Sequence, residues 1–175
     1  LGGGSADSGA VIRLIERSHG LPGDWEERAA KLGADVPACV ESVACIGRGT
    51  GTELEPIQND LARMAVLLVN PRIPLATGPV FSAWSGEDGG ALPDGSARDI
   101  AQMGRNDLRP PAISICPQIG IVLQALADTR AWKAEMSGSG ATCFALYESS
   151  GDRDAAAQII ADQHPGWWQM SGQLR

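Results

Sequence analysis

Met136-Ser137-Gly138-Ser139-Gly140-Ala141-Thr142 runs straight into Cys143-Phe144-Ala145-Leu146-Tyr147. The second half predicts a strand apolar on both faces, of the kind buried inside a sheet. The first half is made of small residues that allow close backbone approach and offer a nest of N–H donors to an anion. Taken alone, it reads first as a plain hairpin turn. Upstream, Ala65-Val66-Leu67-Leu68-Val69 predicts a second buried strand, closed by Asn70-Pro71. Residues 119–127 predict a helix behind Pro117, and residues 153–163 another before His164-Pro165-Gly166. The Gly-, Asp- and Pro-rich stretch 86–95 reads as an exposed loop, and the chain closes through Trp167-Trp168. Helices alternating with buried strands imply α/β or α+β layers.

The N-terminal third has its own pattern. Ala10, Val11, Leu14 and Ile15 fall at helical spacing within 5–17, with Ser5 as the N-cap. A second helix is predicted over 25–32. Asp24 and Glu27 have capping-box spacing, and Gly33 suits a left-handed helix end. Pro37 is expected to stop any continuation and push Val36 toward extended geometry. Val43-Ala44-Cys45-Ile46 predicts a strand entering the turn Gly47-Arg48-Gly49-Thr50-Gly51, and a domain boundary is expected over 56–60.

Bulk properties exclude several classes. Hydrophobic residues make up 43% of the 175 and charged residues 20%, which disfavours disorder. With 21 acidic against 14 basic residues the net charge is −7, so a nucleic-acid backbone would be repelled. Cys39, Cys45, Cys116 and Cys143 form no CxxC pair, and His19 and His164 lie in polar surroundings, so no zinc site is expected. Four free thiols fit a reducing cytoplasm. No apolar run has membrane-spanning length and no signal peptide is visible.

Two further motifs bear chemistry. Gly2-Gly3-Gly4-Ser5-Ala6-Asp7 opens a helix, and a helix N-terminus offers unpaired N–H donors and a positive dipole end to a polyphosphate. It is neither a Walker A loop nor a dinucleotide fingerprint, and by itself it reads equally as a glycine linker into a capped helix. In Gly33-Ala34-Asp35-Val36-Pro37 a carboxylate sits on a short loop, where it could take a proton from an attacking hydroxyl. A lone Gly-Ala-Asp otherwise reads as an exposed turn.

In this order, the glycine loop, Leu32-Gly33-Ala34-Asp35-Val36-Pro37, Asn106-Asp107-Leu108 and Ser137-Gly138-Ser139-Gly140-Ala141-Thr142-Cys143-Phe144 resemble the GHMP kinase superfamily. Gly49-Thr50-Gly51-Thr52-Glu53-Leu54 and Thr77-Gly78-Pro79-Val80-Phe81 also resemble recognisable family segments, and the resemblance covers nearly the whole chain. It is strongest to the branch that phosphorylates a cytidine-diphosphate conjugate of methylerythritol in non-mevalonate isoprenoid synthesis. The resemblance implies a two-domain kinase of the α/β (α+β) class. Residues 1–58 would complete a ribosomal-protein-S5-like ATP-binding domain, and 59–175 would form a ferredoxin-like domain. It also implies ATP and Mg²⁺ as cofactors, and a cytoplasmic monomer or homodimer with a small-molecule substrate and no nucleic-acid or membrane partner.

By the same resemblance, Gly2, Gly3, Gly4 and Ser5 match the ATP phosphate loop and Asp35 the catalytic aspartate. Phe81 matches an aromatic stacking on cytosine, with Thr77 beside it, and Ser139 and Gly140 match the third motif that shapes the site. Ala6 departs from a frequent serine, Ser8-Gly9 replaces small alanines, and Ala38-Cys39 stands where bulkier residues are usual, on what reads as a strand. The family also pairs its aspartate with a lysine near the N-terminus, whereas Lys31 and Lys133 sit in no matching motif. The chain opens on a glycine turn without Met, so the expectation is an incomplete fragment, inactive alone, with Val11, Ile12, Leu14 and Ile15 partly exposed. Two alternatives stay open: another GHMP kinase acting on homoserine, mevalonate or a sugar, and a non-catalytic nucleotide-binding protein.

Overall fold

In a computed structural model, which describes residues 3–175, the chain opens with helix α1 (Gly3–His19), followed by α2 (Trp25–Leu32) and α3 (Val36–Glu41). A hairpin of β1 (Cys45–Arg48) and β2 (Glu53–Pro56) comes next, paired from Cys45↔Pro56 to Arg48↔Glu53. These elements form a first unit, reaching to Asp60 and including Gly95–Ala97 and Arg175.

Several local expectations change here. Ser5 lies inside α1 rather than capping it. Asp24 does precede α2 but makes no capping bond; it accepts from Arg28 Nε at 2.9 Å, and Glu27 accepts from Lys31 at 2.8 Å, so the capping box does not form. Gly33 has φ 166°, which is extended and not left-handed. Pro37 does not drive Val36 into a strand. It occupies the first turn of α3, where its missing N–H has no helical partner to lose, so Ala38 and Cys39 are helical.

The first unit's core is small: Ala29, Val36 and Val40 are buried, with Ile12 and Trp25 packed against them. Val11, Leu14 and Ile15 are exposed and Ile12 is half-buried. The face of α1 that meets α3 carries Gly9 instead. A Cβ there would lie 2.8 Å from both the carbonyl carbon and Cβ of Cys39, so the absence of a side chain sets the helix separation. Arg13 of α1 also donates to the carbonyls of Cys39 and Val40.

The second unit spans Leu61–Asp94 and Arg98–Leu174. Its elements are β3 (Ala65–Asn70), α4 (Thr77–Ser82), α5 (Ala97–Met103, all but its first residue), α6 (Arg109–Ile115), α7 (Gln118–Ala127), β4 (Lys133–Met136), β5 (Cys143–Tyr147), α8 (Ser150–Gln163) and β6 (Trp168–Gln173). The strands form an antiparallel sheet in the order β4-β5-β3-β6. With α7 and α8 as crossovers this is the ferredoxin-like β-α-β-β-α-β arrangement. Alternate residues Ala65, Leu67 and Val69 of β3 and Cys143, Ala145 and Tyr147 of β5 share one face. They bury Ile119, Val122 and Leu126 of α7 and Ala156 and Ile160 of α8. The loop over 86–95 has no regular structure, and among the described residues no helix is long and apolar enough to cross a membrane.

Candidate active site

The described site residues fall in two groups: Gly3, Gly4, Ser5 and Asp35 in the first unit, and Thr77, Phe81, Ser139 and Gly140 in the second. Gly2 lies outside the described residues.

In the first group, a Cβ at Gly3 or Gly4 would meet no atom within 4 Å. Neither glycine is therefore demanded by packing, and both leave backbone open at the N-terminus of a 17-residue helix. The start of α1 lies beside the link into α3, because a Cβ at Gly33 would be 3.7 Å from Ser5 Oγ. Asp35 follows on that link, exposed, with its side chain making no capping bond to α3. Cys39, one turn later, has its thiol pushed up by burial and by the charge of Asp35, against the pull of Arg13. A separate cavity of about 400 Å³ in this unit is lined by Glu26, Glu41 and Glu53, the wrong sign for a phosphate.

In the second group, α4 carries Thr77 and Phe81 one turn apart, anchored by the fully buried Val80 between them. Phe81 is 54% exposed, so it is not a core phenylalanine. The 137–142 segment is the β4–β5 turn, closed by Ser137 N–H to Thr142 O at 2.9 Å and Gly140 N–H to Ser137 O at 3.0 Å. Ser139 Oγ sits 3.0 Å from Thr77 Oγ1, so the turn and α4 meet through their hydroxyls. Gly140 has no substitute here: its φ is +88°, and a Cβ would meet Met136 Sδ at 2.9 Å and Ile119 Cδ1 at 3.1 Å.

Asn106 lies against the turn; its motif is visible in the sequence, which assigns it no role. Its Nδ2 donates to Met136 O at 3.0 Å and Gly138 O at 2.7 Å, and its Oδ1 accepts from Leu108 N at 3.0 Å. Next to it, Asp107 accepts from Gly89 N–H at 2.9 Å and Arg105 Nε at 2.8 Å, which hold its carboxyl below the usual range. Of the two lysines, Lys31 pairs with Glu27, and Lys133 Nζ donates to Gln102 O and Gly104 O. Among the described residues no three His, Cys, Asp or Glu side chains are grouped to hold a metal.

Residues 91–166 match the family model described as GHMP kinases C terminal. The chain is 67% identical, over its whole length, to a 4-diphosphocytidyl-2-C-methyl-D-erythritol kinase of Erythrobacter litoralis, covering 66% of that protein. Residues 91–166 of this chain are a GHMP kinase C-terminal domain. A kinase of the same name from Novosphingobium aromaticivorans is 66% identical over the full chain, which covers 60% of it. The chain thus spans less than two thirds of these relatives' length. Among solved structures, a 4-(cytidine 5'-diphospho)-2C-methyl-D-erythritol kinase aligns over 98% of the chain and 65% of its own, with TM-score 0.78 and 25% identity. Homoserine kinase from Cytophaga hutchinsonii aligns over 92% of the chain and 61% of its own, with TM-score 0.74; at 16% identity the likeness is one of fold alone.

Proposed function

We propose that the protein carrying this chain transfers the γ-phosphoryl of ATP to a hydroxyl of 4-diphosphocytidyl-2-C-methyl-D-erythritol, a step of non-mevalonate isoprenoid synthesis. The identity of 67% and 66% to two kinases of that name, sustained over the full chain, carries the reading. In this reading Gly2, Gly3, Gly4 and Ser5 hold the ATP phosphates with backbone N–H groups, the last three at the start of α1. The open space around Gly3 and Gly4 supports that role. Asp35 orients or deprotonates the attacking hydroxyl, and its exposed carboxylate makes no capping bond that would compete. Phe81 offers an exposed ring to the cytosine, with Thr77 one turn before it on α4, and Ser139, hydroxyl to hydroxyl with Thr77, and Gly140 shape the site from the β4–β5 turn. Mg²⁺ carried on the nucleotide offsets phosphate charge, so that positioning and charge stabilisation do most of the work.

Residues 1–58 are read as the ATP-binding part and 59–175 as the C-terminal domain. The protein is read as cytoplasmic, a monomer or homodimer, without nucleic-acid or membrane partners; the net charge of −7 supports the former exclusion. The test is to purify the longest natural protein that carries these residues and supply ATP, Mg²⁺ and the cytidyl substrate, with homoserine and mevalonate in parallel. ATP-dependent phosphorylation of the cytidyl substrate alone is the expected result. Turnover of homoserine or mevalonate in preference would overturn it.

A further inference from the structure

The turn that brings Ser139 to Thr77 is poorly held by its own backbone. Two internal bonds close it, and it carries Gly138 and Gly140 at φ +55° and +88°, in a region that costs little for glycine but fixes nothing. Its exit is tied by Asn70 Nδ2, which donates to Thr142 Oγ1 at 2.9 Å. Its entrance and apex are tied by one side chain: Asn106 Nδ2 reaches both Met136 O and Gly138 O. The same amide's oxygen takes the Leu108 N–H at the start of α6, so the position of the turn is referred to that helix.

The helix has independent anchors. Ala112 and Cys116 are buried at its base, and Arg109 Nη1 pairs with Glu135 at 3.1 Å, a carboxylate that is itself only 8% exposed and also accepts the Met136 N–H. α6 therefore stays docked without Asn106, whereas the turn loses two bonds.

We infer that Asn106 is a positioning residue: through Met136 O and Gly138 O it sets where Ser139 stands against Thr77, and so the substrate edge of the site. The inference rests on the kinase reading only for its kinetic consequence. Asn106→Ser keeps an oxygen within reach of the Leu108 N–H but is too short to bridge to the turn. Asn106→Asp keeps the acceptor and removes the donor. Both are examined by residue-resolved amide exchange on this chain, and by kinetics in the longest natural protein that carries it.

The expected result is exchange about tenfold faster at the Ser137 and Gly140 amides, with β3 and β5 unchanged, the loss anticipated for a pair of net hydrogen bonds. KM for the cytidyl substrate should rise about tenfold, with kcat and KM for ATP within threefold of wild type. Unchanged exchange in the turn overturns the inference. So does a uniform rise across the second unit without a KM change, which would make Asn106 only a cap for α6, and so does failure of both variants to fold. If the wild-type protein does not phosphorylate the cytidyl substrate, the kinase reading fails by itself. Exchange then decides the positioning role: faster turn amides sustain it and unchanged ones overturn it.

Discussion

Thr77 and Ser139 stand 62 residues apart in the chain and 3.0 Å apart in the fold, hydroxyl to hydroxyl. One sits at the first position of a short helix and the other in a glycine turn, so neither element fixes the other except through this contact and their shared packing. The bond is exposed and neutral, and its net worth is about 0.5–1.5 kcal/mol. Thr77→Val and Ser139→Ala should each lower stability by no more than that. The double variant should cost less than the sum, which urea denaturation in a double-mutant cycle would measure. Full additivity would mean that the two hydroxyls do not interact in solution.

Phe81 separates ligand stacking from core packing. A ring 54% exposed contributes little to the fold, so Phe81→Ala should leave the melting temperature almost unchanged. Aromatic stacking on a base contributes about 1–3 kcal/mol by alanine substitution, so KM for the cytidyl substrate should rise roughly 5- to 150-fold. KM for ATP should not move. Equal loss for both substrates would remove the stacking role.

Asp35→Asn changes one atom on an exposed side chain that makes no capping bond. Stability should be untouched. If Asp35 handles the substrate's proton, kcat should fall roughly 10²- to 10⁴-fold with ATP binding retained. Isothermal titration with ATP alongside steady-state kinetics tests both halves, and retention of most of kcat would return Asp35 to an ordinary loop.

What the sequence made legible was whatever carried an unmixed signal. β3 and β5 are apolar on both faces, and a run of five such residues has few other destinations. α2, α7 and α8 were readable from period and punctuation. β4, with Lys133 and Glu135, does not look like a strand, because its buried carboxylate is compensated by Arg109, which is distant in sequence. β6 is a largely exposed, polar edge strand and leaves no alternation strong enough to read. Three helices were missed for one reason: Pro37, Pro79 and Pro110-Pro111 all sit in first turns, where proline starts a helix as readily as it breaks one. Of the site, the individual motifs were visible. The joining of Thr77 to Ser139 and the bridge from Asn106 were not, since hydrogen bonds between distant segments leave no local pattern.

Cys143 supplies a pH prediction. Burial, then the charge of Glu135, then Cys116, push its thiol up to about 12 from an ordinary 9.0. The folded state therefore keeps the proton that the unfolded chain releases above pH 9. The stabilisation is whole below pH 9 and is lost as pH climbs from there toward 12, at no more than about 1.4 kcal/mol per pH unit for one proton. Burial shifts the Tyr147 phenol in the same direction, and its hydrogen bond with Thr129 opposes that shift. Urea denaturation between pH 8 and 10.5 should show stability falling above pH 9, and Cys143→Ala should flatten the fall. An equally steep decline in that variant would assign the effect to other groups.

Gly9 offers the sharpest test of the first unit, because two principles oppose each other there. In a free helix, alanine is better than glycine by about 1 kcal/mol. Here the added Cβ would lie 2.8 Å from Cys39 Cβ and from the Cys39 carbonyl carbon, and 2.9 Å from its oxygen. Two of those three atoms are backbone, so no rotamer change relieves them; α1 and α3 must move apart. Forced overpacking costs about 1–3 kcal/mol and should outweigh the propensity gain. The Arg13 bonds to the Cys39 and Val40 carbonyls would stretch with the same movement, adding to the loss. Gly9→Ala should therefore destabilise the first unit by up to about 2 kcal/mol, the difference of the two terms. Amide exchange should quicken along α1 and α3 while β3 and β5 keep their protection. Slower exchange in α1 would mean that helix propensity wins, and that the two helices are not in contact through Gly9.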